Sequence, residues 1–204
     1  MITIDGTIGH GTPLRRVTAS FGNEVVGLRG PNGSGKTTLL KTLAGLVPIV
    51  EGTVAFDGMV VDDTARFVHP ERRLARYVDR DPFPAPNLTE FLAFPLRCAG
   101  IRRSERDATI TRTVERFALD DLVGVSPSEM SQGQLARVTI ARACTGHARA
   151  VFLDEPFRGL DESNKQSMLE LLATELRRVG LTAIVVSHDR SDLVALCDRV
   201  VDFD

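Results

Sequence analysis

No apolar run in this 204-residue sequence approaches the ~18 uninterrupted residues of a membrane-spanning helix, so any work done at a membrane needs a partner chain. Cysteine is scarce: Cys98, Cys144 and Cys197 are odd in number, widely separated and without metal-ligand spacing. That excludes a disulfide framework and suits reduced thiols packed as small apolar side chains. Neither sign of charge is in excess. With 25 Lys and Arg against 27 Asp and Glu, the formal net charge of -2 gives no general field for a phosphate backbone, and nucleic acid is set aside as a partner. The opening stretch Met1 to Pro13 carries Asp5 and several glycines but no apolar core, so it does not read as a secretory signal. What remains is ordinary globular composition, 43% hydrophobic and 25% charged, in a length that fits one large domain or one domain with a substantial insertion.

Hydrophobic patterning gives the organisation. Val25-Val26-Gly27-Leu28 leads through glycines into Lys36-Thr37-Thr38-Leu39-Leu40, a strand, loop and helix closed by Gly45. Thr53-Val54-Ala55-Phe56 before Asp57-Gly58 reads as a strand entering a tight hairpin, which predicts a small antiparallel element. Three prolines in Asp81-Pro82-Phe83-Pro84-Ala85-Pro86 mark a subdomain boundary. Beyond it, Asn87 with Glu90 forms a helix start, and Ile110, Val114 and Phe117 recur at helical spacing. The strand Val151-Phe152-Leu153, a helix with Leu169, Leu172, Leu176 and Val179 on one face, and the strand Ala183-Ile184-Val185-Val186 follow. Strands alternating with helices predict a mainly parallel sheet.

Two motifs carry chemistry on their own. Gly30-Pro31-Asn32-Gly33-Ser34-Gly35-Lys36-Thr37, with Thr38 after it, matches the phosphate-binding loop, whose glycines let backbone N–H groups surround phosphate oxygens at a helix N-terminus. Lys36 would neutralise β- and γ-phosphates, and Thr37 would bind Mg²⁺. Asp154 and Glu155 stand where an apolar strand ends, the ligand edge of an open parallel sheet. Acidic residues there also serve as plain turn formers. Given the loop, Asp154 would hold Mg²⁺ through water and Glu155 would orient or deprotonate an attacking water.

Between the two lies Met130-Ser131-Gln132-Gly133-Gln134, opening a helical stretch in which Ser131 is also a good N-cap. The phosphate loop, this Ser-x-Gly-Gln segment, Asp154-Glu155, Gly159-Leu160-Asp161 and His188 after a strand occur in one order, in which the chain resembles the ATP-binding cassette family nearly end to end. The resemblance implies a dimer that sandwiches two Mg-ATP, Ser131, Gly133 and Gln134 of one copy completing the site of the other. A helix N-terminus facing phosphate adds ~0.3–2 kcal/mol. It also implies that Asp161 connects the two sites, that His188 contacts the γ-phosphate, and that the catalytic group comprises Glu155, His188 and Lys36.

The sequence departs from the family's pattern in places. Arg80 stands where a glutamine normally senses Mg²⁺ and the membrane partner, so either Asp79 or Asp81 substitutes or coupling is altered. Gln132 replaces the signature's first glycine. Where the family normally stacks an aromatic residue on adenine upstream of the phosphate loop, His10 is the nearest candidate; His69 and His147 lie outside any motif. Ending at Asp204, the sequence leaves no space for a regulatory domain. Arg72, Arg73 and Arg76, with Arg102, Arg103 and Arg106, form two basic clusters that read as solvated faces or as surfaces for lipid headgroups or an acidic helix.

The expected architecture is thus α/β: a P-loop NTPase core with a mainly parallel sheet, a small antiparallel β subdomain and an inserted helical subdomain. Residues 1–81 and 132–204 would form the core, and residues 82–131 the insertion. The expected function is the ATP-hydrolysing subunit of an ABC transporter, cytoplasmic and peripheral on the inner face of the cell membrane. Its partners would be transmembrane permease subunits and a second cassette, identical or not. A soluble cassette acting as an assembly switch or clamp is the alternative; a P-loop small-molecule kinase would leave the Ser131 segment and His188 unexplained.

Overall fold

The apolar runs form the centre of a parallel sheet in the computed structural model, which describes residues 1–79, 84–146 and 148–204. Strands β3 (Val25–Arg29), β6 (Ala75–Val78), β7 (Ala150–Asp154), β8 (Thr182–Val186) and β9 (Arg199–Asp202) lie in the order β6-β7-β8-β3-β9, every neighbouring pair parallel. The central three are apolar apart from Arg29, Asp154 and Thr182 at their ends, because both faces are covered. Successive residues alternate between two cores. Val26, Leu28, Phe152, Ile184 and Val186 face one, and Val25, Val151, Leu153, Ala183 and Val185 the other.

The first core is closed by helix α1 (Lys36–Ala44) and a four-stranded antiparallel sheet of order β2-β1-β4-β5. Its members are β1 (Ile2–Gly9), β2 (Pro13–Phe21), β4 (Glu51–Phe56) and β5 (Met59–Asp62). The Asp57-Gly58 hairpin is present, with positive φ at both residues, 49° and 79°. The sheet is twice the size of a lone hairpin because β1 and β2 join it. In β1 the alternation of Ile2, Ile4, Gly6 and Ile8, all buried, was a legible signal.

Arg73 corrects the first basic cluster. Its side chain is 0% exposed and sits 3.0 Å from Asp62, itself 1% exposed, while its guanidinium also donates to the Thr42 carbonyl at the end of α1. It joins α1 to the antiparallel sheet and faces no surface. Burial lowers its pKa and raises that of Asp62, and their mutual bond opposes both shifts.

The second core is covered by α4 (Gln132–Ala143), α5 (Glu162–Val179) and α6 (Arg190–Leu196), together with α2 (Leu88–Cys98) and α3 (Arg103–Arg116). Asn87 caps α2 through the Glu90 amide at 2.9 Å, as its spacing predicts. Ile110, Val114 and Phe117 are buried; on α5, Leu169, Leu172 and Leu176 are buried but Val179 is 36% exposed. The boundary at residues 81 and 82 lies outside the described residues.

Candidate functional site

Because β3, β7 and β8 are parallel, the loops leaving them emerge on one edge of the sheet. The loop after β3 holds Gly30 through Gly35 and turns into α1. Gly33 and Gly35 have φ of 81° and 98°, and Gly35 caps α1 with no side chain, so the first-turn amides point outward with no capping acceptor. That is the construction of an anion nest. Gly30 passes so close to Phe203 that an added Cβ would stand 2.3 Å from its carbonyl oxygen. Lys36 is 6% exposed, its ammonium donating to the carbonyls of Gly30 at 2.8 Å and Pro31 at 2.7 Å. The cation is therefore held against the loop's own backbone, beside the nest. Thr37 is exposed, whereas Thr38 is buried and its hydroxyl lies 3.4 Å from His10 Nε2.

The loop after β7 begins with the two acids. Asp154 accepts a hydrogen bond from the Tyr77 hydroxyl at 2.9 Å. Burial, then Asp154, push that phenol well above its ordinary value, so Tyr77 stays a donor. Glu155 has φ of 53°, unusual for a residue with a side chain, and its amide donates to the Val186 carbonyl at 2.9 Å. Such a conformation costs ~1–3 kcal/mol and turns Glu155 away from Asp154's direction along the strand. Burial raises the Glu155 pKa and the adjacent His188 partly offsets the rise. His188, after β8, places Nε2 3.2 Å from Glu155 Oε1, yet that buried oxygen makes no hydrogen bond.

The loop, the acids and His188 line one open cleft of about 850 Å³. Gln132 and Leu135 of α4 contribute its other wall, and Asp79 and Leu14 also line it. Ser131, Gly133, Gln134 and Asp161 are not among the described residues lining this cleft, and Ser131 and Asp161 are exposed. Ser131 and Gln134 form a reciprocal capping box at the start of α4: the Ser131 hydroxyl accepts from the Gln134 amide at 3.3 Å, and the Gln134 side chain accepts from the Ser131 amide at 2.9 Å. Asp161 caps α5, its carboxylate accepting from the Asn164 backbone amide at 3.0 Å. Backbone and side-chain donation from Asn164 holds the Asp161 carboxyl below its usual range. The Arg80 substitution, Asp81 and His147 lie outside the described residues. Sequence reasoning missed Tyr77, Asn164 and Lys165; the sole tyrosine, one residue before the apolar end of β6, was the available signal.

A family model described as ABC transporter matches residues 17–158. The spermidine/putrescine import ATP-binding protein PotA of Pseudomonas aeruginosa is 35% identical over 203 residues, covering 92% of this chain and 55% of that protein. The Fe(3+) ions import ATP-binding protein FbpC of Streptomyces coelicolor is 35% identical over 179 residues, covering 88% of this chain and 51% of that protein. The chain thus spans about half the length of the curated relatives it matches. Among solved structures, the ATP-binding cassette MJ0796, in a dimeric post-hydrolysis state bound to ADP and Pi, has the same fold with a TM-score of 0.83 at 24% identity, over 99% of this chain and 94% of that one.

Proposed function

This chain belongs to the ABC transporter family, and from that premise we propose that it binds and hydrolyses ATP to drive transport through separate transmembrane subunits. The observation that carries the reading is the single cleft in which the glycine loop, Asp154, Glu155 and His188 converge. The import names of the curated relatives favour transport, inward, over a soluble clamp or a kinase. No helix among the described residues is long and apolar enough to cross a membrane, which agrees with a pore made by permease chains and a peripheral place for this one, on the cytoplasmic face.

Within the cleft, the N-terminal amides of α1 and the glycine loop cradle the phosphates, with Gly30, Pro31, Asn32, Gly33, Ser34, Gly35, Lys36, Thr37 and Thr38 forming the grip. Lys36 already sits at the loop, so phosphate oxygens can join its carbonyl acceptors with little movement of the ammonium. The exposed Thr37 hydroxyl and the half-buried Asp154 carboxylate are hard oxygen donors of the kind Mg²⁺ prefers, and they fit that ion. When bound, Mg²⁺ would neutralise developing phosphate charge. Glu155, desolvated and left with one unbonded oxygen, is suited to take a proton from water, and His188 to hold the water and γ-phosphate.

Ser131, Gly133, Gln134 and Asp161 act in the other copy's site. The place of these four residues outside the chain's own cleft, with Ser131 and Asp161 exposed, supports this, since the start of α4 can then add a positive helix end to a second cassette's site. Residues 82–131 form the helical subdomain that meets the permease, and residues 1–81 with 132–204 the core. The test is ATP turnover by the purified chain with and without Glu155→Gln. Loss of hydrolysis with nucleotide binding retained supports the assignment, and unchanged turnover refutes it.

A further inference from the structure

Lys165 belongs to no motif that the sequence offers, yet it lies between two of them. It sits in the first turn of α5, four residues after Asp161, with a side chain 12% exposed. Its ammonium stands 2.5 Å from Asp189 Oδ2 and 2.7 Å from Asp192 Oδ1, and Asp192 is itself only 4% exposed. Both carboxylates follow His188 directly, Asp189 as the next residue and Asp192 in the first turn of α6. Ser187, on one side of the histidine, donates its hydroxyl to Asp192 at 3.0 Å. Asp189, on the other side, donates its amide to the same hydroxyl at 3.1 Å. Both chain neighbours of His188 are therefore fastened to groups that one cation holds together. Hydrogen bonding from Lys165, then from Ser191, keeps the Asp189 carboxyl well below the usual carboxylate range, so the pair stays charged.

We propose that Lys165 is the positioning residue of His188, clamping the loop after β8 so that the imidazole faces Glu155. The inference rests on the proposed ATPase reading and adds to it a residue that is not among those lining the cleft. Without the ammonium, the Asp189 and Asp192 carboxylates repel each other, and the His188 loop tied to them through Ser187 loses its anchor. The side chain preceding it extends the same strut. Asn164 donates its side-chain amide to Asp161 at 2.5 Å, and its carbonyl oxygen would stand 3.2 Å from a Cβ added at Gly133. The first turn of α5 thus joins, within one chain, the Asp161 loop, the start of α4 and the His188 loop.

The test compares Lys165→Met and Lys165→Arg with the unaltered chain, reading steady-state ATPase kinetics, melting temperature and the His188 ring resonances, assigned by their loss in His188→Gln. Lys165→Met is expected to lower kcat tenfold or more with KM for ATP within twofold, and to shift or broaden the His188 signals. Lys165→Arg, whose guanidinium also reaches two carboxylates, restores most of kcat. A brace with no bearing on the histidine predicts instead a lowered melting temperature with kcat of the folded fraction and the His188 signals unchanged, and that result overturns the proposal. Should Lys165→Met not fold, Asp189→Asn removes only the more exposed partner and carries the same expectation at smaller size. Should the unaltered chain not turn over ATP, the ATPase reading fails, and His188 signals that do not move in Lys165→Met still decide against the clamp.

Discussion

Glu155 and His188 meet across the gap between β7 and β8, with His188 Nε2 3.2 Å from Oε1 and the His188 amide donating to Oε2 at 3.4 Å. Burial raises the carboxyl's pKa, and the imidazole opposes that rise. A base must be ionised to accept a proton, so the acidic limb of the ATPase pH profile is expected above the ordinary glutamate range. Removing a group that lowers a pKa raises it. In His188→Ala, kcat should fall and the residual activity's acidic limb should move to higher pH, which a kcat–pH profile of both proteins measures. A limb that stays in place or moves down contradicts the geometry.

Lys36 gives a prediction about binding. Its ammonium bridges Gly30 and Pro31 carbonyls at the mouth of the nest, so Lys36→Ala removes both a phosphate donor and a fastening of the loop. Hydrogen bonds to charged groups contribute ~1.5–3 kcal/mol, so nucleotide affinity should fall by about ten- to a hundredfold. Titration with a fluorescent ATP analogue reads this directly, and normal hydrolysis by the variant would remove the loop's assignment.

Stability depends on a pair far from chemistry. Asp62→Asn leaves the buried Arg73 cation without its counter-charge, and breaking such a pair costs about 3–5 kcal/mol. Urea denaturation should show that loss, while Asp62→Leu with Arg73→Met recovers part of it because no lone charge remains. The equal stability of Asp62→Asn and the unaltered chain would show the pair to be dispensable.

Much of this site was legible before any coordinates. Loop glycines, paired acids at a strand end and a histidine after a strand are local signals, because each motif is fixed by the few residues around it. Asn87 with Glu90 and Asp57 with Gly58 were readable for the same reason. What escaped was set by contacts distant in sequence. Arg73 read as surface charge because its guanidinium is buried only where the Thr42 carbonyl at the end of α1 meets Asp62 of β5, and Lys165 was silent because its two carboxylates arrive from a different strand end. The strand β6 was hidden by its length of four residues and its mixed pattern, although it carries Tyr77 to Asp154.

The central claim is that one copy's Ser131 completes the site of another, and a structure of Glu155→Gln with Mg-ATP tests it most directly. The expected result is a closed dimer with each Ser131 hydroxyl and Gly133 amide within hydrogen-bond distance of the γ-phosphate held by the opposite copy's loop. Bound nucleotide with Ser131 of every neighbouring copy remote from that phosphate would contradict it.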